Sequence, residues 1–254
     1  RLRHGPGGSD RDARGGAARL RAALPFIPMH YGQPSAGAPP AAIAAAHRAL
    51  DRDPLGYTEL SELRERIVAF YAATHGVDVD IDRVLLTAGA SAALVAAYAA
   101  MFRPGDRVAL LRPGYSAYRN TLAALRLEPV EIHCGPEQEF HPTPAQLEAL
   151  SPTPQGFVIA SPANPTGAML DSRQLGALLT TCRARGIQVI SDEIYHGISF
   201  GKRAVSALEL DSRAVVINSF SKLYRMPGWR LGWMIVPRDW AAQIHSYLIN
   251  MFLT

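Results

Sequence analysis

Lysine is nearly absent from this chain. Of its 26 basic residues, only Lys202 and Lys222 are lysines, and arginine is the default cation. A lysine kept in an apolar context in such a sequence points to amine chemistry, because an amine loses its proton far more readily than a guanidinium. The competing reading is a lysine snorkelling at the end of a strand. Cysteine is scarce as well. Cys134 and Cys182 form no CxxC pair and have no metal-ligand spacing, which excludes a disulfide scaffold and a cysteine-based zinc site. They read as free thiols in a reducing compartment, the cytoplasm. No apolar run is long enough to span a bilayer, the longest being 88–102, and no secretory signal is visible. The net charge is only +4 and the signs are interspersed. No basic stripe interleaved with aromatics exists, so no nucleic-acid partner is implied. The eight histidines are scattered. They form no His/Asp/Ser set and no metal cluster, and neither a Walker loop nor a GxGxxG is present.

What is present is an α/β pattern. The 254 residues are 48% hydrophobic and 19% charged, enough for one large globular domain. Residues 1–24 are rich in glycine and arginine with little apolar periodicity and read as a disordered leader. Residues 25–55 read as an extended Pro/Gly-rich arm followed by a helix, and 56–254 as the main domain. The spacing predicts helices over 41–51, 60–75, 91–102, 116–125 and 172–185. Short apolar runs predict strands over 84–87, 108–111, 131–133, 157–160, 189–191, 215–218 and 232–236. Strands alternating with helices imply a mostly parallel seven-stranded sheet with helices on both faces. The last strand is a candidate antiparallel member.

The segment Ser219-Phe220-Ser221-Lys222 follows the apolar run that begins at Ala214. Desolvation there lowers a lysine pKa and frees the amine as a nucleophile. Hydroxyls flank the lysine, and Arg230 follows in Pro227-Gly228-Trp229-Arg230. Hydroxyls and a guanidinium together suit phosphate oxygens. Asn164-Pro165-Thr166-Gly167 and Asp192-Glu193-Ile194-Tyr195 each fall at the carboxyl end of a predicted strand, where open α/β sheets bind ligands. Gly89-Ala90-Ser91 opens a predicted helix, a placement that suits an anion.

In this order and spacing the segments resemble the class I/II aminotransferases, fold-type I enzymes that use pyridoxal 5′-phosphate (PLP). The resemblance runs from about Pro25 to the end of the chain. It implies that Lys222 is the Schiff-base lysine and later the proton shuttle. Asp192 would sit against the pyridine nitrogen, and Tyr195 and Asn164 would bond the ring's phenolic oxygen. Gly89, Ala90, Ser91, Ser219 and Arg230 would hold the phosphate. Tyr115 would stack on the ring, with Tyr118 as the rival for that role. Tyr57 would reach the phosphate of a second subunit in a homodimer. Gly32 would lie near the substrate carboxylate, as would Asn164. Three bland alternatives stand beside these: Asp192 as a helix cap, Tyr115 as ordinary core, and Ser91 as the cap of its own helix. Ser221 is left out, because neighbours on a strand point to opposite faces.

The implied reaction moves an amino group between an amino acid and a 2-oxo acid. β-Elimination, decarboxylation and a non-catalytic PLP-binding module stay open beside it. Relatives continue into a smaller C-terminal domain that carries an arginine for the substrate carboxylate. No counterpart appears in these residues, so the expectation is a chain that lacks that domain.

Overall fold

The computed structural model describes residues 32–57 and 60–252. The chain divides into two compact units, Arg1–Ser35 and Ala36–Thr254. The disordered leader expected over 1–24 lies outside the described residues.

Among the described residues of the second unit there are seven helices and seven strands, with short 3₁₀ turns between them. In chain order they are α1 (Pro40–Arg52), α2 (Ser61–His75), β1 (Val84–Thr87), α3 (Ala90–Met101), β2 (Arg107–Arg112), α4 (Ser116–Ala124), β3 (Glu128–His133), α5 (Pro144–Glu148), β4 (Gly156–Ala160), α6 (Ser172–Ala184), β5 (Gln188–Asp192), β6 (Val215–Ser219), β7 (Gly232–Ile235) and α7 (Arg238–Phe252). The strands form one sheet in the order β1-β7-β6-β5-β4-β2-β3. Pairs β2–β3, β2–β4, β4–β5 and β5–β6 are parallel, while β7 runs antiparallel to both β6 and β1. The mostly parallel seven-stranded sheet expected from the sequence is what forms, and its reversed member is the expected one.

Local chemistry explains the boundaries. Asp171 and Gln174 cap α6 reciprocally: Asp171 Oδ1 accepts from the Gln174 N–H at 2.7 Å, and Gln174 Oε1 accepts from the Asp171 N–H at 2.9 Å. Gly76 ends α2 in the left-handed conformation at φ +67°. Pro40 starts α1, where its missing N–H costs nothing.

The strands bury both faces, as parallel strands covered by helices do. Side chains alternate between two cores. Phe157, Ile159, Val189, Val216, Trp233 and Ile235 join one with Tyr71 and with Leu175 and Leu178 of α6. Val158, Ile190, Val215, Ile217 and Met234 join the other with Leu94 and Tyr98 of α3, Leu122 of α4 and Ile244 of α7. Each fully buried large side chain contributes roughly 1.5–3 kcal/mol. The two cores clamp the sheet and fix the strand ends in space. Helix α7 was not expected. Apolar residues at 240, 241, 244, 247, 248 and 251 carried its period.

Candidate active site

The carboxyl ends of β1, β2, β4, β5 and β6 share one edge of the sheet. Because β7 is reversed, its first residue lies at that edge too: Gly232 pairs with Ser219, the last residue of β6. Polar side chains from five connections therefore meet there.

Asp192 ends β5 and is 3% exposed. Tyr118 Oη donates to its Oδ2 at 2.6 Å, and the Ile194 N–H donates to Oδ1 at 3.2 Å. Burial pushes the Asp192 carboxyl pKa up, and the two hydrogen bonds pull part of it back. The residues after Asp192 form a turn and no helix, so Asp192 is not a helix cap. Tyr195 Oη lies 3.4 Å from Asn164 Nδ2, which donates to it. The Lys222 Nζ stands 5.8 Å from the centre of the Tyr195 ring. Burial lowers the Lys222 pKa. Burial first, and then the Asp192 charge, raises that of Tyr195.

A second group of donors lies around the start of α3. Gly89 is the residue before the helix, at φ +80°, and no side chain caps the terminus. Ser91 therefore does not cap its helix, and its side chain is exposed. The Arg230 guanidinium lies across this end, with Nη2 donating to Ala88 O at 3.1 Å and Nη1 to Pro227 O at 2.8 Å. A Cβ on Gly89 would come within 2.5 Å of Arg230 Nη2, so glycine is required for both its conformation and that approach. Ser219 Oγ lies 2.8 Å from Ser221 Oγ and 3.1 Å from Leu231 O. Strand alternation does not govern Ser221, because β6 stops at Ser219 and the chain turns. Its hydroxyl joins that of Ser219, a pairing that the strand argument missed.

Tyr115 precedes α4 and is 41% exposed, so it is not ordinary core. Its ring meets that of Tyr118 edge-on at 5.4 Å. Tyr118 is buried and serves as a hydrogen-bond donor to Asp192. Tyr57 is 89% exposed and makes no contribution to this cluster. Gly32 belongs to the other unit, where it is exposed.

The donor set suits a phosphate monoester attached to an aromatic cation. Uncapped helix N–H groups, hydroxyls and a guanidinium answer the phosphate. A buried carboxylate with a raised pKa gains most from a ring nitrogen that carries a proton. Among the described residues, no group of His, Cys, Asp and Glu is arranged to hold a metal ion, and no helix is long and apolar enough to cross a membrane.

Comparison with known proteins agrees. The sequence profile of the class I and II aminotransferases, a PLP-dependent family, matches residues 25–252. A valine–pyruvate aminotransferase of Mycobacterium tuberculosis is 45% identical over 226 residues, covering 87% of this chain and 58% of that protein. An aspartate aminotransferase of Pyrococcus horikoshii is 31% identical over 233 residues, covering 88% and 60%. The chain thus spans about three fifths of the length of these curated relatives. The crystal structure of an aminotransferase from Mycobacterium tuberculosis superposes with a TM-score of 0.93 at 41% identity, covering 100% of this chain and 67% of the other. An aspartate aminotransferase from Rhizobium meliloti does so at 0.89 and 26%, covering 98% and 65%. The chain belongs to the class I and II aminotransferase family.

Proposed function

We propose that this chain carries the cofactor site of an aminotransferase that moves an amino group between an amino acid and a 2-oxo acid. The observation that carries the reading is the meeting of Lys222, Tyr195, Asn164 and Asp192 at the strand ends, with Arg230 laid across the start of α3. When bound, PLP supplies an electron sink for negative charge at the α-carbon of the amino acid.

The residues divide the remaining work. Lys222 would hold the cofactor through its Nζ amine. Its desolvation keeps a fraction of the amine neutral and able to take and return the α-proton. Asp192, its carboxylate fixed by Tyr118, would hold a proton on the pyridine nitrogen. Tyr195 Oη and Asn164 Nδ2 would orient the cofactor through its phenolic oxygen, and Tyr115 would pack against its ring. The Gly89, Ala90 and Ser91 positions, with Ser219, Ser221 and Arg230, bind the phosphate. Exposed Tyr57 suits the phosphate of a second copy, so the active form is a homodimer, the commonest symmetric assembly. Cys134 and Cys182 are buried free thiols, and burial pushes the Cys182 pKa up to about 12, which suits a reducing cytoplasm. The relative that acts on valine and pyruvate makes those the first substrate pair to try.

Two measurements test this reading. Borohydride reduction with PLP, followed by peptide mapping, should place the pyridoxyl group on Lys222; a label on Lys202 would overturn the assignment. Incubation with valine and pyruvate, and then with a panel of amino acids and 2-oxoglutarate, should yield a new amino acid. Release of ammonia or carbon dioxide instead would replace transamination by elimination or decarboxylation.

A further inference from the structure

The turn that carries Asp192 and Tyr195 also carries Glu193 and His196, and these two take no part in the site described above. Both are buried, at 1% and 4% exposure. Glu193 Oε1 has three donors: the Ala207 N–H at 2.8 Å, Ser206 Oγ at 3.0 Å and Ser191 Oγ at 3.2 Å. His196 Nε2 lies 2.9 Å from Ser161 O, a carbonyl that can only accept, so Nε2 carries a hydrogen. The remaining atoms of the pair, Glu193 Oε2 and His196 Nδ1, face each other at 3.4 Å, and neither has another hydrogen-bond partner.

Without a further hydrogen, that contact sets a lone pair against a lone pair where water does not reach. One proton between the two atoms satisfies both, whichever atom carries it. The surroundings favour the neutral arrangement. Burial pushes Glu193 up to about 7 and His196 down to about 4.

The groups facing the pair leave it as the titrating unit. On its own turn lies Asp192. From α2 come the His75 ring, 5.6 Å from that of His196, and Tyr71, which burial keeps protonated. From 203–209 come Arg203 and Glu209, paired at 2.6 and 2.9 Å, with Glu209 also 2.7 Å from His75 Nδ1. Burial acting alone would raise Glu209, but Arg203, the Ser206 N–H and His75 outweigh it and hold the carboxyl down at about 2. That ion pair keeps its charge near neutrality.

We propose that Glu193 and His196 share one buried proton between Oε2 and Nδ1, and that this proton locks the 192–197 turn so that Asp192 and Tyr195 are presented at fixed positions. Both are positioning residues. The shared proton does not depend on the PLP reading; its effect on the cofactor does. Loss of the proton at alkaline pH leaves two acceptors in contact and a second buried negative charge next to Asp192. The turn then loosens and cofactor affinity falls. Coupled groups of this kind titrate as a unit, and burial, which raises the Glu193 carboxyl to about 7, moves that step up toward neutrality.

Two variants separate the proton from the shape. Glu193→Gln puts a permanent amide donor against Nδ1, and His196→Asn puts one against Oε2. Side-chain nitrogen NMR of the cofactor-free protein should show His196 Nδ1 changing in a single step near neutrality in the wild type and staying constant in Glu193→Gln. PLP affinity should weaken by about threefold or more between about pH 6 and about pH 8 in the wild type, a coupling near the low end of those for contacting groups. The same range should leave it nearly flat in either variant. The wild-type NMR titration decides the shared proton even where a variant does not fold. A His196 Nδ1 that stays a bare ring nitrogen from about pH 6 to about pH 8 would overturn the shared proton. An identical pH response of PLP affinity in wild type and both variants would overturn the positioning role. A shared proton in a protein that binds no PLP would leave the pair standing and sink the reading of the site.

Discussion

Around Glu209 each charge meets its opposite. Arg203 forks onto the carboxylate, His75 adds a third contact, and the Ser206 N–H a fourth at 2.9 Å. At the strand ends the same residue types are arranged differently. The Arg230 guanidinium reaches only carbonyl oxygens among the described residues, and Asp192 receives donors from a phenol and an amide but no cation. The 192–197 turn touches both clusters, through Asp192 itself and through the His196 ring beside His75. A charge neutralised within the chain stabilises the fold, and its removal costs stability. A charge met only by dipoles retains attraction for an ion of opposite sign, and its removal costs binding or chemistry. Substitutions in the two clusters should therefore separate cleanly into two kinds of loss.

The largest loss is expected from Lys222→Ala. On the proposed reading, removing the amine would take away both the covalent anchor and the proton carrier, and the second role alone would be worth roughly 10²–10⁴-fold in rate. The melting midpoint should hold. A variant that keeps its transamination rate would place the chemistry elsewhere. Asp192→Asn keeps the shape and removes the charge, and kcat should fall by about 100-fold or more. Activity near that of the wild type would make Asp192 a structural group like Glu209 and erase the contrast. Gly89→Ala should act on binding. Its Cβ would displace the Arg230 guanidinium, and one lost charge-assisted bond, about 1.5–3 kcal/mol, weakens PLP by roughly tenfold or more. Equilibrium titration followed by fluorescence reads this directly.

Glu209→Gln should leave PLP affinity unchanged and lower the melting midpoint at pH 7. The sign of its pH dependence follows from its depressed folded value. Glu209 contributes stability above its unfolded value of 4.5, and that contribution is lost as pH falls through about 2. The gap between wild type and variant should therefore close on acidification. A gap that widens in acid, or a change in PLP affinity, would show that the two clusters are not independent.

The sequence made the sheet legible because its strands are short, apolar and bounded by turn residues. Val84–Thr87 forms over the residues expected, and the reversal of Gly232–Ile235 was visible in its position directly after the lysine segment. Site residues were legible where chemistry is local, as in Ser219 to Lys222. Contacts closed by the fold were not. Tyr118 lies 74 positions from Asp192, so its hydrogen bond to that carboxylate is closed only by the fold. Ser221 was set aside on strand alternation, a rule that fails where a strand ends. Glu193 and His196 gave no sign of their contact, because Ser161, Ser206 and His75 reach them from three other segments.

The reversed strand has a further consequence. Residues 220–231 leave β6 and return as β7, and the Ser219–Gly232 pair closes the loop at its base. Lys222 and Arg230 are both carried on it. Their separation is thus set by one short closed span, held at both ends by hydrogen-bonded strands. On the proposed function the span would work as a gauge block for a ligand of fixed length, with an amine at one mark and a guanidinium at the other. Substitutions at the exposed Leu223, Arg225, Gly228 and Trp229 can be absorbed by the surface, as those at buried Met226 cannot, but one added or deleted residue would shift one mark against the other. Natural variation in this loop should therefore appear in side chains and not in length.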